Sequence, residues 1–483
     1  MVFNSLKFAA FFVVFFLLYW LIFNRNNKIQ NLFFLLGSYV FYCWWDWRFL
    51  ALIIGSSLVN YLLGIYIDKS ENEKRRKFLV LLGLIQGLGG LLFFKYFNFF
   101  IDTFISAFSL ININLSIHTL NIILPLGISF YTFRAISYLL DIDSGKIKPT
   151  TDWVIFFSYI AFFPCLTAGP IDRAKSLIPQ LEKKRVFDYS HATDAMRQIL
   201  WGLFKKVVIA DNCATCTNAI FENYKTLPAS SLLFGAFYFA IQIYADFSGY
   251  SDMAIGFSRL LGFNVTKNFN FPIFAQNISE FWQKWHISLT SWMTDYVFTP
   301  LSFIFRTSGK SGLILSILIN FILIGLWHGS NWTFILFGFL QGCYFIPLVL
   351  NGTLNRKRVK EGTHLLPSFN EFLRMAGTFT LVMLTVVLFR SETIGQAFSY
   401  YQAIISTSLL SAPKIPLDKA VKIVTIIFII IMIIVEWLQR DKEHGLDIEN
   451  IKNSFLRLSI YYTIIAVILI FAGQKVTFIY AQF

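Results

Sequence analysis

Long apolar runs separated by short polar loops recur along almost the whole chain. We count about eleven to twelve runs of roughly 17 or more residues, long enough for a helix to cross the hydrocarbon core of a bilayer. The longest polar pieces lie near 68–77, 142–152, 182–197, 351–371 and 439–455, and none could fold as a separate soluble domain. The pattern therefore predicts an all-α polytopic membrane protein, with one integral membrane domain overall.

The character of the runs changes along the chain. Residues 1–100 form ordinary apolar spans, in which Gly83 and Gly87 have the GxxxG spacing that packs helices together. From 101 to 350, polar, Gly and Pro residues interrupt the apolar runs, and apolar spans resume over 351–483. We therefore predict N-terminal spans, a core of broken helices and C-terminal spans over these three ranges.

Most interruptions fall in four segments: LPLGISFYTFRAISY (124–138), FFPCLTAGPIDRA (162–174), YADFSGYSDMAIG (244–256) and NISEFWQKWHISLTSWMTDYVFTP (277–300). At membrane depth, irregular backbone is tolerated only where it is buried in protein or lines a water-filled cavity. We therefore expect re-entrant or broken helices around a cavity or tunnel over roughly residues 124–335.

Composition supports the membrane class. The chain is 56% hydrophobic and only 14% charged, values outside the range of soluble globular domains. The net charge of +14 comes from loops, which is the positive-inside pattern, so no nucleic-acid partner is expected. Cytoplasmic basic loops would place the N-terminus outside. No small-residue cleavage site follows the run from Phe8 to Phe23, which predicts a retained span. We expect a multi-pass protein of the inner (cytoplasmic) membrane.

Familiar catalytic and metal-binding motifs are absent from the sequence. There is no G-x-S-x-G elbow, H-E-x-x-H, P-loop or G-x-G-x-x-G, so a nucleophilic serine of the α/β-hydrolase type is not expected. Five cysteines give no disulfide framework. Cys213 and Cys216 form a lone CxxC that we interpret as incidental, and we predict no metal site and no bound cofactor.

The six histidines differ in their surroundings. Four lie in polar, loop-like stretches and are expected to be solvated: His118, His191, His364 and His444. His286 and His328 lie among aromatic and apolar residues, each beside a tryptophan (Trp285 and Trp327). The pair is therefore a better candidate for a site than either histidine alone.

His328 ends the apolar stretch SGLILSILINFILIGLWHGSNW, where an ionisable group is costly and is by default a functional candidate. Gly325 and Gly329 beside it are small enough for a substrate or another backbone to come close. Burial favours the neutral imidazole, which can accept a proton from an alcohol as a general base. That chemistry suits acyl transfer from a thioester to a hydroxyl. The alternative is a core histidine bonded to a backbone carbonyl.

His286 is predicted to lie on one helix with an aromatic stripe, formed by Phe281, Trp285, Ser288 and Trp292 at i, i+4, i+7 and i+11. The alternative is an interfacial amphipathic helix with a tryptophan belt, in which His286 only fills a hydrogen-bonding position.

Further polar groups cluster in DFSGYSD, which contains Asp246, Ser248, Tyr250, Ser251 and Asp252. The two carboxylates could bind a cation or a sugar, or the cluster could satisfy backbone groups of a broken helix. Three more charges are candidates for the mouth of a tunnel or for loop ion pairs: Arg134, Asp172 and Arg173.

These segments together resemble the membrane-bound O-acyltransferase (MBOAT) family. The resemblance is carried by FFPCLTAGPIDR (162–173), YADFSGYSDMAIG (244–256), FWQKWHISLTSWMTDYVFTPL (281–301), GLWHG (325–329) and the terminal FIYAQF (478–483). GLWHG is short, but its combination with FWQKWHISL in this order is highly specific. The chain is most similar to the branch that contains the alginate O-acetyltransferase membrane subunit and the D-alanyl transfer protein of teichoic acid modification.

The resemblance implies a ring of helices around a thinned centre, with a tunnel joining the two membrane faces. It implies that His328 is the catalytic histidine and that His286 is a second polar position orienting donor or acceptor. We place further substrate or tunnel residues at Trp285, Trp327, Ser288, Asp246, Ser248, Tyr250, Asp252, Asp295 and Asn331. The implied donor is a cytoplasmic acyl thioester, carried by coenzyme A or an acyl carrier protein. The acyl group then passes outward, with an SGNH-type partner, to a surface polysaccharide.

The chain departs from its relatives at a few positions. Thr294 precedes Asp295 where relatives commonly have arginine, Ser302 and Phe303 replace a Gly-Gly, and Cys165 replaces a polar residue. These changes leave His286 and His328 intact.

The chain is longer than typical D-alanyl transfer members and has extra apolar spans near 420–439 and 456–472. This difference favours the alginate-type branch with acetyl-CoA as donor. The sequence thus predicts an O-acetyltransferase acting for an exopolysaccharide or peptidoglycan. Two alternatives remain: D-alanyl transfer from a carrier protein to teichoic acid, and a lipid or sugar transporter without acyl turnover.

Overall fold

The computed structural model describes residues 2–113, 115, 119–354, 365–474 and 476, and these residues form helices and loops without a strand. His118, His364 and the terminal FIYAQF lie outside the described residues. The first helices are α1 Leu6–Leu21, α2 Asn27–Asp46, α3 Leu50–Asp68, α4 Glu73–Leu91, α5 Phe97–Ser109, α6 Ile128–Asp143, α7 Trp153–Ile160 and α8 Ala174–Glu182. The central helices are α9 Tyr189–Phe204, α10 Asp211–Glu222, α11 Ala229–Leu260, α12 Ile278–Lys284, α13 Ile287–Met293, α14 Thr299–Ile304, α15 Gly309–His328 and α16 Trp332–Cys343. The remaining helices are α17 Ile346–Leu350, α18 Phe369–Thr385, α19 Val387–Arg390, α20 Ile394–Ile404, α21 Lys419–Leu438 and α22 Ser454–Ile470.

Seven segments among the described residues are long and apolar enough to cross a membrane: Asn27–Asp68, Glu73–Ser109, Ala229–Leu260, Arg306–His328, Trp332–Leu350, Phe369–Arg390 and Lys419–Leu438. Three shorter apolar helices are Leu6–Leu21, Trp153–Cys165 and Ser454–Ile470. The chain is an all-α, multi-pass membrane protein, as its hydropathy predicts.

The first long segment is better counted as two helices. Its 42 residues would make a straight helix of about 60 Å, twice the ~30 Å hydrocarbon core. A 3₁₀ turn at Trp47–Phe49 divides it into α2 and α3. The described residues thus hold seven long apolar segments, one of them divided in two, and three shorter apolar helices, and the count of eleven to twelve spans stays a prediction.

By its internal contacts the chain divides into two compact units. One consists of Met1–Ala195 with Ala254–Thr266, and the other of Met196–Met253 with Lys267–Phe483. The boundaries at 100 and 350 that we infer from sequence stay predictions.

In the first unit, a buried arginine organises the interrupted segment 162–174. The Arg134 guanidinium donates to the carbonyls of Tyr159 and Ile160 at 3.4 Å and to those of Cys165 and Pro170 at 3.3 Å. A charged group removed from water must be hydrogen-bonded, and irregular backbone supplies the carbonyls for it. Arg134 therefore stabilises the interrupted segment.

The prediction of a broken helix at 244–256 is wrong, because α11 runs without interruption through this segment. The small residues there serve close helix packing instead. A Cβ added at Gly249 would lie 2.7 Å from the carbonyl oxygen of Gly202 on α9, and one added at Gly202 would lie 2.5 Å from that of Gly249. The two backbones approach at a point where neither helix can carry a side chain.

The prediction of one helix through His286 is also wrong. The segment 277–300 is interrupted, as expected, but the interruption falls at His286 itself, between the seven-residue helices α12 and α13. His286 has a left-handed backbone, with φ 44° and ψ 51°. This conformation is costly for a residue with a side chain and must be held by its surroundings.

Candidate active site

His328 is the last residue of α15 and is only 3% exposed. Two phenylalanines and a tryptophan surround its ring: the centroid of Trp327 lies 4.8 Å away, that of Phe389 4.9 Å and that of Phe337 6.3 Å. The ring is thus enclosed by aromatic side chains from α15, α16 and α19.

Gly325, two residues before Trp327, lets another part of the backbone come close to α15. A Cβ on Gly325 would collide with the carbonyl oxygen of Phe334 and would lie 3.1 Å from the backbone of Gly338. Both of these residues belong to α16. The sequence left open whether a substrate or another backbone needs this space, and at Gly325 it is the backbone of α16.

His328 lines a largely apolar cavity of about 610 Å³, a volume that includes its opening. Its walls are Ala240, Ile243, Tyr244, Pro272, Ile273, Phe281, Trp282, Trp285, His328, Phe337, Gln341, Phe379, Val382, Val386 and Phe389. Ligand sites typically combine such apolar walls with a few fixed polar groups. Among these lining residues, His328 carries the only basic side chain.

His286 is fully buried and is held by Asn268. Its Nδ1 lies 3.0 Å from Oδ1 of Asn268, the same oxygen that accepts from the backbone N–H of Ser288 at 3.3 Å and from its hydroxyl at 2.9 Å. Because a backbone N–H can only donate, the atom facing it must be the amide oxygen, so Nδ1 of His286 is the donor. Nε2 of His286 therefore carries the lone pair.

The amide of Asn268 is itself anchored. Its Nδ2 donates to the hydroxyl of Ser251 on α11 at 3.0 Å. Its backbone carbonyl accepts from the N–H of Ile287 at 2.9 Å. Asn268 thus joins α11 to the first turn of α13 and fixes the imidazole tautomer of His286.

One indole connects the two histidines. The ring centroid of Trp327 lies 5.5 Å from that of His286 and 4.8 Å from that of His328. Trp285 lines the cavity and stacks on Phe281 at 5.4 Å. The structure therefore brings together His286, His328 and both of their neighbouring tryptophans.

The predicted polar cluster on α11 has a different environment. Asp246 is buried, Asp252 is half-buried, and both pair with lysines: Lys206 Nζ lies 2.8 Å from Asp246, and Lys205 Nζ lies 2.7 Å from Asp252. The alternative that these carboxylates satisfy a broken backbone is wrong, because the helix is continuous and their partners are ammonium groups. Ser248 and Tyr250 are buried on the same helix.

The ion pairs extend into a network that reaches the cavity wall. Lys206 also binds Asp211 at 2.9 Å, and Lys205 lies 3.4 Å from Glu436 on α21. The hydroxyl of Tyr244, a residue of the cavity wall, donates to Glu436 at 2.6 Å. The two lysines lie in the π-helical segment Lys205–Ala210, and such segments occur frequently at functional sites.

Two predicted site residues lie elsewhere. Asn331 caps α16, where its Oδ1 accepts from the N–H of Thr333 at 3.0 Å and its Nδ2 donates to the carbonyl of Glu392 at 2.9 Å. Asp295 is exposed on the π-helical segment Thr294–Phe298. Asn331 therefore has a structural role as a helix cap.

The other described histidines are outside the cavity wall. His191 is exposed, as predicted, with Nδ1 2.9 Å from Asp188. The prediction that His444 is solvated is wrong: it is 2% exposed, and its Nδ1 accepts from the N–H of Leu446 at 3.2 Å. The local sequence is polar, but tertiary packing covers it.

Several buried polar residues around the site escaped the sequence reasoning. Lys205 and Lys206 carried a usable signal, because ionisable residues inside an apolar run are functional candidates. Asn268 and Gln341 carried no such signal, because the sequence alone does not show which groups an amide side chain hydrogen-bonds.

The sequence was compared with known protein families and with individual proteins. The model of the membrane-bound O-acyltransferase family matches residues 148–350. The chain belongs to this family and is an acyltransferase.

Individual relatives extend the match over most of the chain. The probable alginate O-acetylase AlgI of Pseudomonas syringae pv. tomato is 36% identical over 408 residues, 84% of this chain and 75% of the relative. The peptidoglycan O-acetyltransferase of Helicobacter pylori is 31% identical over 433 residues, 83% of this chain and 79% of the relative. The teichoic acid D-alanyltransferase of Streptococcus thermophilus is 30% identical over 293 residues, 55% of this chain and 68% of the relative.

Proposed function

We propose that this chain is an O-acetyltransferase of the inner membrane. It takes acetyl groups from cytoplasmic acetyl-CoA and moves them across the membrane for O-acetylation of an extracytoplasmic polysaccharide, an alginate-like exopolysaccharide or peptidoglycan. The observation that carries the proposal is the extent of similarity: 84% of the chain aligns with an alginate O-acetylase, whereas 55% aligns with a D-alanyltransferase.

In the proposed reaction, His328 is the general base. The acceptor hydroxyl loses its proton to the neutral imidazole while its oxygen attacks the thioester carbonyl carbon, and the carbonyl electrons move to oxygen. The tetrahedral intermediate then collapses, the C–S bond breaks, and the leaving thiolate takes the proton from the imidazolium. Such general base catalysis contributes about 10²–10⁴-fold in rate.

The surroundings of His328 favour this role. It lines the cavity among aromatic walls and carries the only basic side chain among the lining residues. Water exclusion protects the thioester from hydrolysis. We assign His286 to orientation of donor or acceptor, because its tautomer and ring position are fixed by Asn268 and its ring packs on the same indole as His328.

We further propose that an SGNH-type partner on the outer face completes transfer to the polysaccharide. D-Alanyl transfer is the second candidate, since a D-alanyltransferase is 30% identical over about half of the chain. In that case the donor would be an acyl carrier protein.

The deciding experiment compares surface glycans from cells with and without this chain. Mild alkali releases ester-linked groups, which are identified by chromatography and mass spectrometry. The proposal expects acetate to fall when the chain is absent while D-alanine stays constant. Loss of D-alanine alone would favour the second candidate, and unchanged levels of both would overturn the two together.

A further inference from the structure

The apolar cavity beside His328 contains one carboxamide among its lining residues, that of Gln341 on α16. Its side chain is fully buried, and neighbouring wall positions are aromatic or aliphatic. A buried amide among apolar walls is costly unless its hydrogen-bonding groups are used.

The orientation of this amide is fixed by Trp282, which also lines the cavity. The indole Nε1 of Trp282 donates to Oε1 of Gln341 at 3.0 Å. An indole N–H can only donate, so the atom that faces it must be the amide oxygen rather than the amide nitrogen. The NH₂ group of Gln341 is therefore on the other side of the amide, away from Trp282.

The NH₂ nitrogen of Gln341 is buried. Within the part of the chain that the structure describes, no group accepts a hydrogen bond from Nε2 of Gln341, although the atom is buried. Buried donors without acceptors are rare in folded proteins and call for a specific explanation. A ligand that brings an acceptor into the cavity would supply it.

We propose that Nε2 of Gln341 binds the carbonyl oxygen of the acyl thioester and stabilises the oxyanion that forms on it. This assignment rests on the proposed function, since it takes the thioester as the ligand and His328 as the base. When the acceptor oxygen bonds to the carbonyl carbon, the π electrons of the C=O bond move to oxygen, and the negative charge strengthens the hydrogen bond from Gln341. When the C–S bond breaks, the carbonyl re-forms.

The physical logic is that of a preorganised donor. Trp282 holds the amide in place before substrate arrives, so no reorganisation is needed as charge develops in a water-excluded site. The thioester carbonyl would lie between a base on α15 and a donor on α16, helices that the close contact at Gly325 holds together. The hydrogen bond from Gln341 is then stronger in the transition state than in the ground state, which is the requirement for catalysis.

The test uses the full-length protein in detergent with two ligands, acetyl-CoA and S-ethyl-CoA. The two differ at the thioester carbonyl, which is a methylene in S-ethyl-CoA, and both retain the pantetheine amides. We expect the unaltered protein to bind acetyl-CoA about tenfold more tightly. Gln341→Met, which keeps the size of the side chain and removes the donor, should bind both ligands equally and lower acetyl transfer about 10²-fold.

Trp282→Phe provides a second variant, which keeps the amide and removes the bond that orients it. Its preference for acetyl-CoA should be smaller than that of the unaltered protein, so the test stands even if Gln341→Met does not fold. An unchanged preference in the folded variants, or an equal weakening of both ligands, would overturn the role of Gln341 and leave the proposed function intact. Binding of neither ligand by the unaltered protein would overturn the proposed donor and, with it, this role of Gln341.

Discussion

Nδ1 of His286 donates to Oδ1 of Asn268 at 3.0 Å, a bond that joins the break between α12 and α13 to the segment that follows α11. The same oxygen accepts twice from Ser288. One buried amide thus holds both a left-handed backbone and the tautomer of an imidazole.

Asn268→Ala should therefore destabilise the protein and slow acyl transfer. Three donors lose their acceptor, which costs about 1–3 kcal/mol for buried groups left unsatisfied. Without its partner, His286 is free to change tautomer. Thermal unfolding in detergent and acetyl transfer measure the two effects. Asn268→Asp keeps the accepting oxygen and should lie closer to the unaltered protein in stability. An unchanged melting temperature and an unchanged rate of acetyl transfer in Asn268→Ala would show that the Asn268 amide does not position His286.

Lys206→Met should be strongly destabilising. Lys206 is buried between Asp211 and Asp246, and removal of its charge takes from both carboxylates the ammonium group that they share. Breaking a buried ion pair in this way costs about 3–5 kcal/mol. The matched control is Lys77→Met, because Lys77 forms an exposed pair with Glu73, and exposed pairs contribute little to stability. Similar melting temperatures for the two variants would contradict the structural role of the buried network.

Gly325→Ala should separate α15 from α16. The added Cβ collides with the carbonyl of Phe334, and overpacking of this kind costs about 1–3 kcal/mol. Gly377→Ala on α18 is the control, since a Cβ there meets nothing within 4 Å and the change removes an unfavourable helical glycine. We expect a lower melting temperature for the first variant and an equal or higher one for the second. Equal tolerance of both changes would mean that the helices are not in close contact at Gly325.

The sequence predicted the class of fold and the two histidines, because both follow from local hydropathy and from short motifs. His328 and His286 stood out as imidazoles in apolar surroundings, and Trp327 proves to contact both rings. The helix break at His286 was missed, since the aromatic spacing on either side of it continues a helical period.

Features set by tertiary packing could not be predicted from the sequence. The glycines and serines of α11 resemble those of a broken helix, yet Gly249 makes room for Gly202. His444 lies in a polar stretch and is nevertheless buried. The orientation of the Gln341 amide is set by Trp282, which lies 59 positions earlier in the chain.

The central claim is that His328 is the base for acetyl transfer, and His328→Ala tests it most directly. The variant should be expressed in cells that lack the unaltered chain, with its amount in the membrane matched to that of the unaltered protein. His191→Ala, a change at an exposed histidine, is the control. We predict that surface glycans lose their acetyl esters in His328→Ala cells and keep them in His191→Ala cells. Acetyl esters retained at the unaltered level in folded, membrane-inserted His328→Ala would contradict His328 as the base.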